Sequence, residues 1–174
     1  MQTAATQQYS HHSLPEILQE LQAESTDLHK EALEKLALYF VQQLGLEFKV
    51  WRERGNTLEK TAVNAIAEST YPIFRCWHIY CKNLPDSPII EDDIAIEVGL
   101  SMQSKSDVIC IVTTGRFSRD ALSYTDSITS ETNLSIITID REDLQILATS
   151  PKTIVDILEK KARRTMKLRK AIAS

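Results

Sequence analysis

The chain has 174 residues, of which 43% are hydrophobic and 25% charged, and a formal net charge of −4. That composition suits one globular domain with its own core and an extension or two. No apolar run approaches the roughly 18 residues a membrane span needs, and the opening "MQTAATQQYSHHSLPEILQ" lacks both the basic start and the long apolar stretch of a signal peptide. These features predict an intracellular, cytoplasmic protein without membrane association.

Cys76, Cys81 and Cys110 are odd in number and sit in apolar, strand-like runs. They read as buried free thiols rather than a disulfide framework. No C-x-x-C pair supports a zinc site. His11 and His12 fall in a polar, small-residue stretch, so residues 1–12 read as a disordered tail rather than a metal site. Charge is unevenly spread. Residues 152–170 carry eight Lys or Arg against Asp156 and Glu159, a charge of +6 that leaves −10 elsewhere. A basic end on an acidic body points to an anionic partner for that end.

Along the chain, "SLPEILQELQAES" predicts a short helix with Ser13 as cap and Pro15 in its first turn. A longer helix is expected over about 26–44, where Leu28, Ala32, Leu33, Leu36, Ala37, Phe40, Val41 and Leu44 recur every three or four residues. Gly45 suits the left-handed residue that closes a helix. Strands are expected at 46–53, 61–69 and 73–82, with "RGNTLEK" as a loop and "YP" as a break. "NLPDSP" is a loop, and a helix is expected within 89–105. The unbroken apolar run in "DVICIVTTG" (107–115) predicts a strand buried on both faces. A helix capped by Ser118, a strand over 134–140, a short helix from "REDLQILATS" and a final helix entered near Pro151 complete the order.

The order α-β-β-β-α-β-α-β-α implies an antiparallel three-strand meander followed by parallel crossovers. The expected fold class is α/β: a mixed sheet of about five strands flanked by helices. Its main domain would span 13–148, with a basic C-terminal helix over 149–174. No internal repeat, heptad register or Gly-rich phosphate loop is present.

Four stretches resemble one family. "LEKLALYFVQQLGLEFKV" resembles an opening helix that carries a glutamate and runs through a Leu-Gly turn into the first strand. "IYCKN" resembles a strand end of the form VQCKN. "DVICIVTTGRFSRDAL" resembles a strand and helix entry of the form GIIVTTGRFSKEA, and "LSIITIDREDLQIL" a last strand leading into an Asp-Leu helix start. Together, over about residues 28–148, they resemble the PD-(D/E)-x-K nucleases, in the branch of Mrr-type restriction endonucleases and archaeal Holliday-junction resolvases. The resemblance implies a restriction-endonuclease-like fold and DNA as a partner. It also implies a Mg²⁺-dependent endonuclease site, where the metal polarises the scissile phosphate and activates water while a lysine offsets developing charge. Dimerisation is a further expectation from the family.

Carried over by motif, Lys82 falls on the site lysine and Glu34 on the helix glutamate, with Glu31 one turn earlier as a substitute. The strand aspartate position is held by Asn64, and the position two before the lysine by Tyr80. Two of four positions therefore depart from the pattern, and they are the two that would grip the metal. Asn offers a neutral carbonyl, and Tyr is a poor Mg²⁺ ligand. Glu34 alone would hold Mg²⁺ weakly. Glu68 lies on the Asn64 face but roughly 13 Å further along by strand rise. Glu59, Asp86, Glu91, Asp92 and Asp93 remain as acids that could move in.

The alternatives follow from these residues. Lys82 could be an edge-strand cation, and Asn64 and Tyr80 could bond each other and close the old metal pocket. Glu34 could be a solvated helix residue. Trp51 and Trp77 read as packing. Arg116 and Ser118, with Thr114, could hold phosphate at a helix N-terminus or serve as a surface cation and a cap. Lys160, Lys161, Arg163, Arg164, Lys167 and Arg169 could track a phosphate backbone, dock on an acidic protein including another copy, or complement the helix dipole. The sequence favours a nuclease-fold protein with impaired catalysis that binds DNA or assembles with other subunits. The alternatives are an active Mg²⁺-dependent endonuclease with a migrated acid, or a structural protein-interaction module.

Overall fold

The computed structural model describes residues 12–23, 26–52, 61–70 and 74–172, without the side chains of 26–28, 168, 169, 171 and 172. The tail expected over 1–12 lies almost wholly outside these residues, as does Glu59. Helix α1 (Leu14–Glu20) starts where the sequence places it: the Ser13 backbone N–H donates to Glu16 Oε2 at 2.8 Å, a capping box that satisfies an otherwise orphaned donor. Helix α2 (Thr26–Gln43) follows. Gly45 ends it at φ 63°, with the Leu46 N–H reaching back to the Val41 carbonyl at 2.8 Å.

Strands β1 (Glu47–Trp51), β2 (Ala62–Glu68) and β3 (Cys76–Lys82) form the antiparallel meander. Helix α3 (Glu91–Ser104) crosses to β4 (Val108–Thr113), and α4 (Arg119–Glu131) crosses to β5 (Ser135–Ile139); both new strands pair in parallel. Helix α5 (Arg141–Thr149), a 3₁₀ turn (Pro151–Thr153) and α6 (Ile154–Ile172) complete the chain. The sheet order is β1-β2-β3-β4-β5. The fold is thus α/β, a mixed five-stranded sheet flanked by six helices, in the element order that the resemblance implied.

One boundary differs from expectation. The strand expected from residue 73 begins at Cys76, because Phe74 takes a left-handed backbone (φ 56°) that no strand accommodates. Its carbonyl accepts the Trp77 indole N–H at 2.8 Å.

Strand alternation divides the interior in two. Val63, Ala65, Ala67, Ile79, Cys81, Cys110 and Val112 meet α1, α2 and α5, with Leu33, Leu36 and Phe40 at the centre. Burying each such side chain is worth about 1.5–3 kcal/mol. The opposite face carries Tyr80, Ile109 and Ile111 beneath α3 and α4, packed on Ile94, Val98 and Ala121. β4 is buried along its whole length, as its apolar run requires. Helix α6 joins the first core through Ile154 and Ile157, then runs past β5, where Lys161 Nζ donates to the Thr138 carbonyl.

Candidate functional site

β3 ends on Lys82, and the period of two puts His78, Tyr80 and Lys82 on one face. The antiparallel register sets Asn64 directly across from Tyr80. Lys82, Asn64 and Tyr80, three of the four motif positions, therefore share the face that α3 covers. Glu34 lies on α2, whose buried side chains pack against the opposite face. Its ion pair is with Lys30, at 4.0 Å. Partial burial raises the Glu34 pKa above the usual carboxylate range, with Lys30 pulling it back.

The acid brought to Lys82 is Asp93. Its Oδ1 lies 2.7 Å from Lys82 Nζ, and its Oδ2 accepts the Ile90 N–H at 3.2 Å. Lys82 is only 8% exposed. The first turn of α3 is acidic (Glu91, Asp92, Asp93), which suits the positive end of the helix dipole. One member of that turn reaches the motif lysine while also capping its own helix.

Deeper under α3 lies a second polar group. His78 Nε2 is 3.2 Å from Glu97 Oε2, and both side chains have no solvent exposure. The Asn64 carboxamide is 3.2 Å from His78 Nε2, and turned nitrogen-inward it donates to Glu97 Oε2 at 3.3 Å. The residue at the aspartate position thus serves a buried histidine–glutamate pair. Tyr80 is fully buried in the apolar cluster around Ile94, Ile109 and Ile111.

These residues do not fit Mg²⁺. The ion takes hard oxygen ligands in octahedral array. Here both Asp93 oxygens are engaged, the Asn64 amide faces the His78–Glu97 pair, and Tyr80 is buried among hydrocarbon. Among the described residues, no three His, Cys, Asp or Glu side chains converge in a set that would hold a metal ion.

The loops after β3 and β4 lock together beside Lys82. Thr114 Oγ1 donates to Asn83 Oδ1 at 2.6 Å and accepts the Leu84 N–H at 3.1 Å. Arg141 Nε donates to the Thr114 carbonyl at 2.8 Å, and its guanidinium also reaches the Pro85 carbonyl. A Cβ on Gly115 would sit 2.0 Å from the Leu84 carbonyl oxygen, so the two loops touch backbone to backbone. Ser118 caps α4 by accepting the Ala121 N–H at 3.1 Å. Arg116 is 74% exposed and 4.0 Å from Glu142.

The cations of α6 fall into two groups. Lys161 is part-buried and bonds Asp143 at 2.8 Å as well as Thr138, and Arg164 pairs with Asp126 on α4. Arg163 pairs within the helix with Glu159, while Lys160 and Lys167 are exposed. The Arg169 side chain is outside the described residues.

His78 and Glu97 escape sequence reasoning, although a signal exists. His78 stands in phase with Tyr80 and Lys82, and Glu97 lies between Ile94 and Val98 on the inward side of its helix.

The class that this architecture defines is an α/β protein with a mixed five-stranded sheet flanked by helices. Among solved structures, the chain resembles "DNA modification-dependent restriction endonuclease AspBHI", with 12% identity and a TM-score of 0.45. The match covers 95% of this chain and 41% of that structure's length. No protein-family model and no curated protein matches the sequence.

Proposed function

We propose that this chain is a nuclease-scaffold protein with impaired catalysis that binds DNA, acting as a DNA-binding or assembly subunit in DNA processing or defence. One observation carries the reading of the site: among the described residues, the acid that reaches the Lys82 ammonium is Asp93 of α3, 2.7 Å away, while the strand positions that would grip a metal hold Asn64 and Tyr80. A lysine drawn into an ion pair with a helix-capping carboxylate is poorly placed to meet a developing phosphorane charge. The binding role rests on α6, whose exposed Lys160, Arg163 and Lys167 recur at three and four and share one helix face.

The test is incubation of the full chain with supercoiled plasmid and Mg²⁺ or Mn²⁺. No nicking above the buffer control is expected. A second reading, an active endonuclease with a migrated acid, is favoured by the position of Asp93 against Lys82. Nicking that vanishes in both Lys82→Ala and Asp93→Asn would establish that reading and remove the first. A gel shift across a salt series tests the DNA role separately. Retardation that weakens steeply with salt is expected, and no retardation at low salt would instead favour a protein-interaction module.

A further inference from the structure

Where α4, β5 and α6 meet, they leave a cavity of about 60 Å³ between them, several times the roughly 10–15 Å³ that one water requires. The seam around it is built of hydroxyls and charge where packed helices ordinarily place hydrocarbon. The buried stripe of α4 runs Ala121, Thr125, Thr129, with Thr125 5% and Thr129 3% exposed. Strand β5 adds Thr138, and α6 adds Lys161, Arg164 and Thr165. Asp126 of α4 completes the lining beside Arg164.

We propose that this cavity binds a protonated phosphate group, as the free hydrogenphosphate ion. The hydrogen-bonding inventory selects that ligand. Lys161 Nζ has three N–H donors and engages two, on the Thr138 carbonyl and on Asp143 Oδ2 at 2.8 Å. Arg164 has five and engages one on Asp126. Both cations thus keep N–H groups in reserve for an oxyanion. The threonine hydroxyls have the opposite sense. Thr125 Oγ1 already donates to the Leu122 carbonyl at 2.7 Å, and Thr165 Oγ1 to the Lys161 carbonyl at 3.2 Å, so what they have left is lone pairs. The Asp126 carboxylate also only accepts. A fitting ligand therefore carries anionic oxygens for the cations and an O–H donor for the remaining oxygens. Hydrogenphosphate has both. Sulfate, fully ionised at neutral pH, has no O–H and is repelled by Asp126. A DNA phosphodiester lacks the O–H as well, so this site is separate from the outward lysines of α6. Asp126 and Asp143 already offset the two cations, and binding in the millimolar range is the expectation.

The experiment is titration of the full chain at pH 7 in chloride buffer with sodium phosphate and, separately, sodium sulfate, followed by heat and by melting temperature at matched ionic strength. One saturable phosphate site is expected, with sulfate binding at least tenfold weaker. No saturable phosphate binding by either readout overturns the proposal, and so does equal binding of the two anions. Arg164→Gln is expected to weaken phosphate binding at least tenfold. Asp126→Asn should narrow or reverse the preference over sulfate, because an amide can donate where the carboxylate only accepts. That readout stands should Arg164→Gln impair folding, and a preference unchanged in Asp126→Asn sinks the assignment. Lys160→Ala and Lys167→Ala should leave phosphate binding as it is; its loss in either would move the ion to the outward face of α6 and away from the cavity. Ribose 5-phosphate, whose ester has largely lost its P–OH at pH 7 and whose sugar needs more room, should bind more weakly than the free ion. Tighter binding of that monoester overturns the choice of free phosphate.

Discussion

Gly115 sits where two loop backbones meet, and any Cβ would fall 2.0 Å from one carbonyl oxygen and 2.8 Å from another, that of Ser87. Backbone cannot yield as a side-chain tip can. Gly115→Ala is therefore expected to cost at least about 2 kcal/mol, read as a lower urea midpoint with an unchanged slope. The sequence marks this glycine only as a strand-to-helix punctuation, since nothing local reveals that residues 84 and 87 come so near. The thiols were more legible: Cys81 and Cys110 are buried as their apolar runs imply, whereas Cys76, expected to be buried too, opens its strand and is half-exposed. Burial pushes the Cys110 thiol up to about 12, with the Lys161 charge pulling the other way, and raises Cys81 as well. Native protein at pH 8 should release one equivalent of colour quickly with a disulfide reagent, from half-exposed Cys76, and three after unfolding. Two fast thiols would contradict this burial. Glu34 gives a pH prediction. Its folded pKa is raised above the unfolded value of 4.5, so its contribution to stability is fully present below that value and is lost as pH rises through the folded pKa. Glu34→Gln should then raise the urea midpoint at pH 7, and that gain should disappear as pH falls below about 4. A lower midpoint at pH 7 would mean that the carboxylate is held by more than Lys30.

At the scale of elements, helices and strands were readable because each carries a clean period: three and four in α2, two in β3, and an unbroken run in β4. Caps were readable as well, in Ser13, Gly45 and Ser118. The role of each cation on α6 was not, because a count of eight basic residues says nothing about which face meets α4. Lys161 reaches Asp143 and Thr138, and Arg164 reaches Asp126, so these two anchor the helix. Lys160 and Lys167 face outward. Lys161→Ala should lower the melting temperature, by roughly 1–3 kcal/mol in stability for a part-buried pair. Lys160→Ala and Lys167→Ala should leave stability within about 0.5 kcal/mol. On DNA the order reverses: each outward lysine removed should reduce the salt slope by about 1 and weaken all sequences alike. Equal effects of Lys160 and Lys161 on both readouts would erase the distinction.

For the molecule as a whole, α3 is fastened to the sheet by charge as well as by oil. The Asn64, His78 and Glu97 cluster sits between the meander and the helix, and Lys82 to Asp93 holds the helix start. Removing one member strands the others in low dielectric. Glu97→Ala is expected to cost about 3–5 kcal/mol, and the paired change His78→Leu with Glu97→Leu less than the sum of its parts. An additive pair would mean that the two side chains do not interact. The sequence conveyed the topology of this assembly but not its polar interior. The element order follows from local periods and loop lengths. The partnership of residues 64, 78 and 97 arises only when a helix lands on strands distant in sequence. That is also why the position expected to hold a metal ligand turned out to serve a buried histidine–glutamate pair.

The two rims of the sheet carry a last consequence. On β1, Lys49 bridges Glu47 and Glu68, so a charged lattice runs along that border. At β5, a lysine ammonium already occupies the carbonyl of Thr138. A stray strand would meet charged side chains at the β1 border and would have to displace the Lys161 ammonium before bonding the Thr138 carbonyl at the β5 border. Concentrated solutions should therefore stay free of cross-β fibrils and thioflavin signal, and Lys161→Ala should be the change that lets them form.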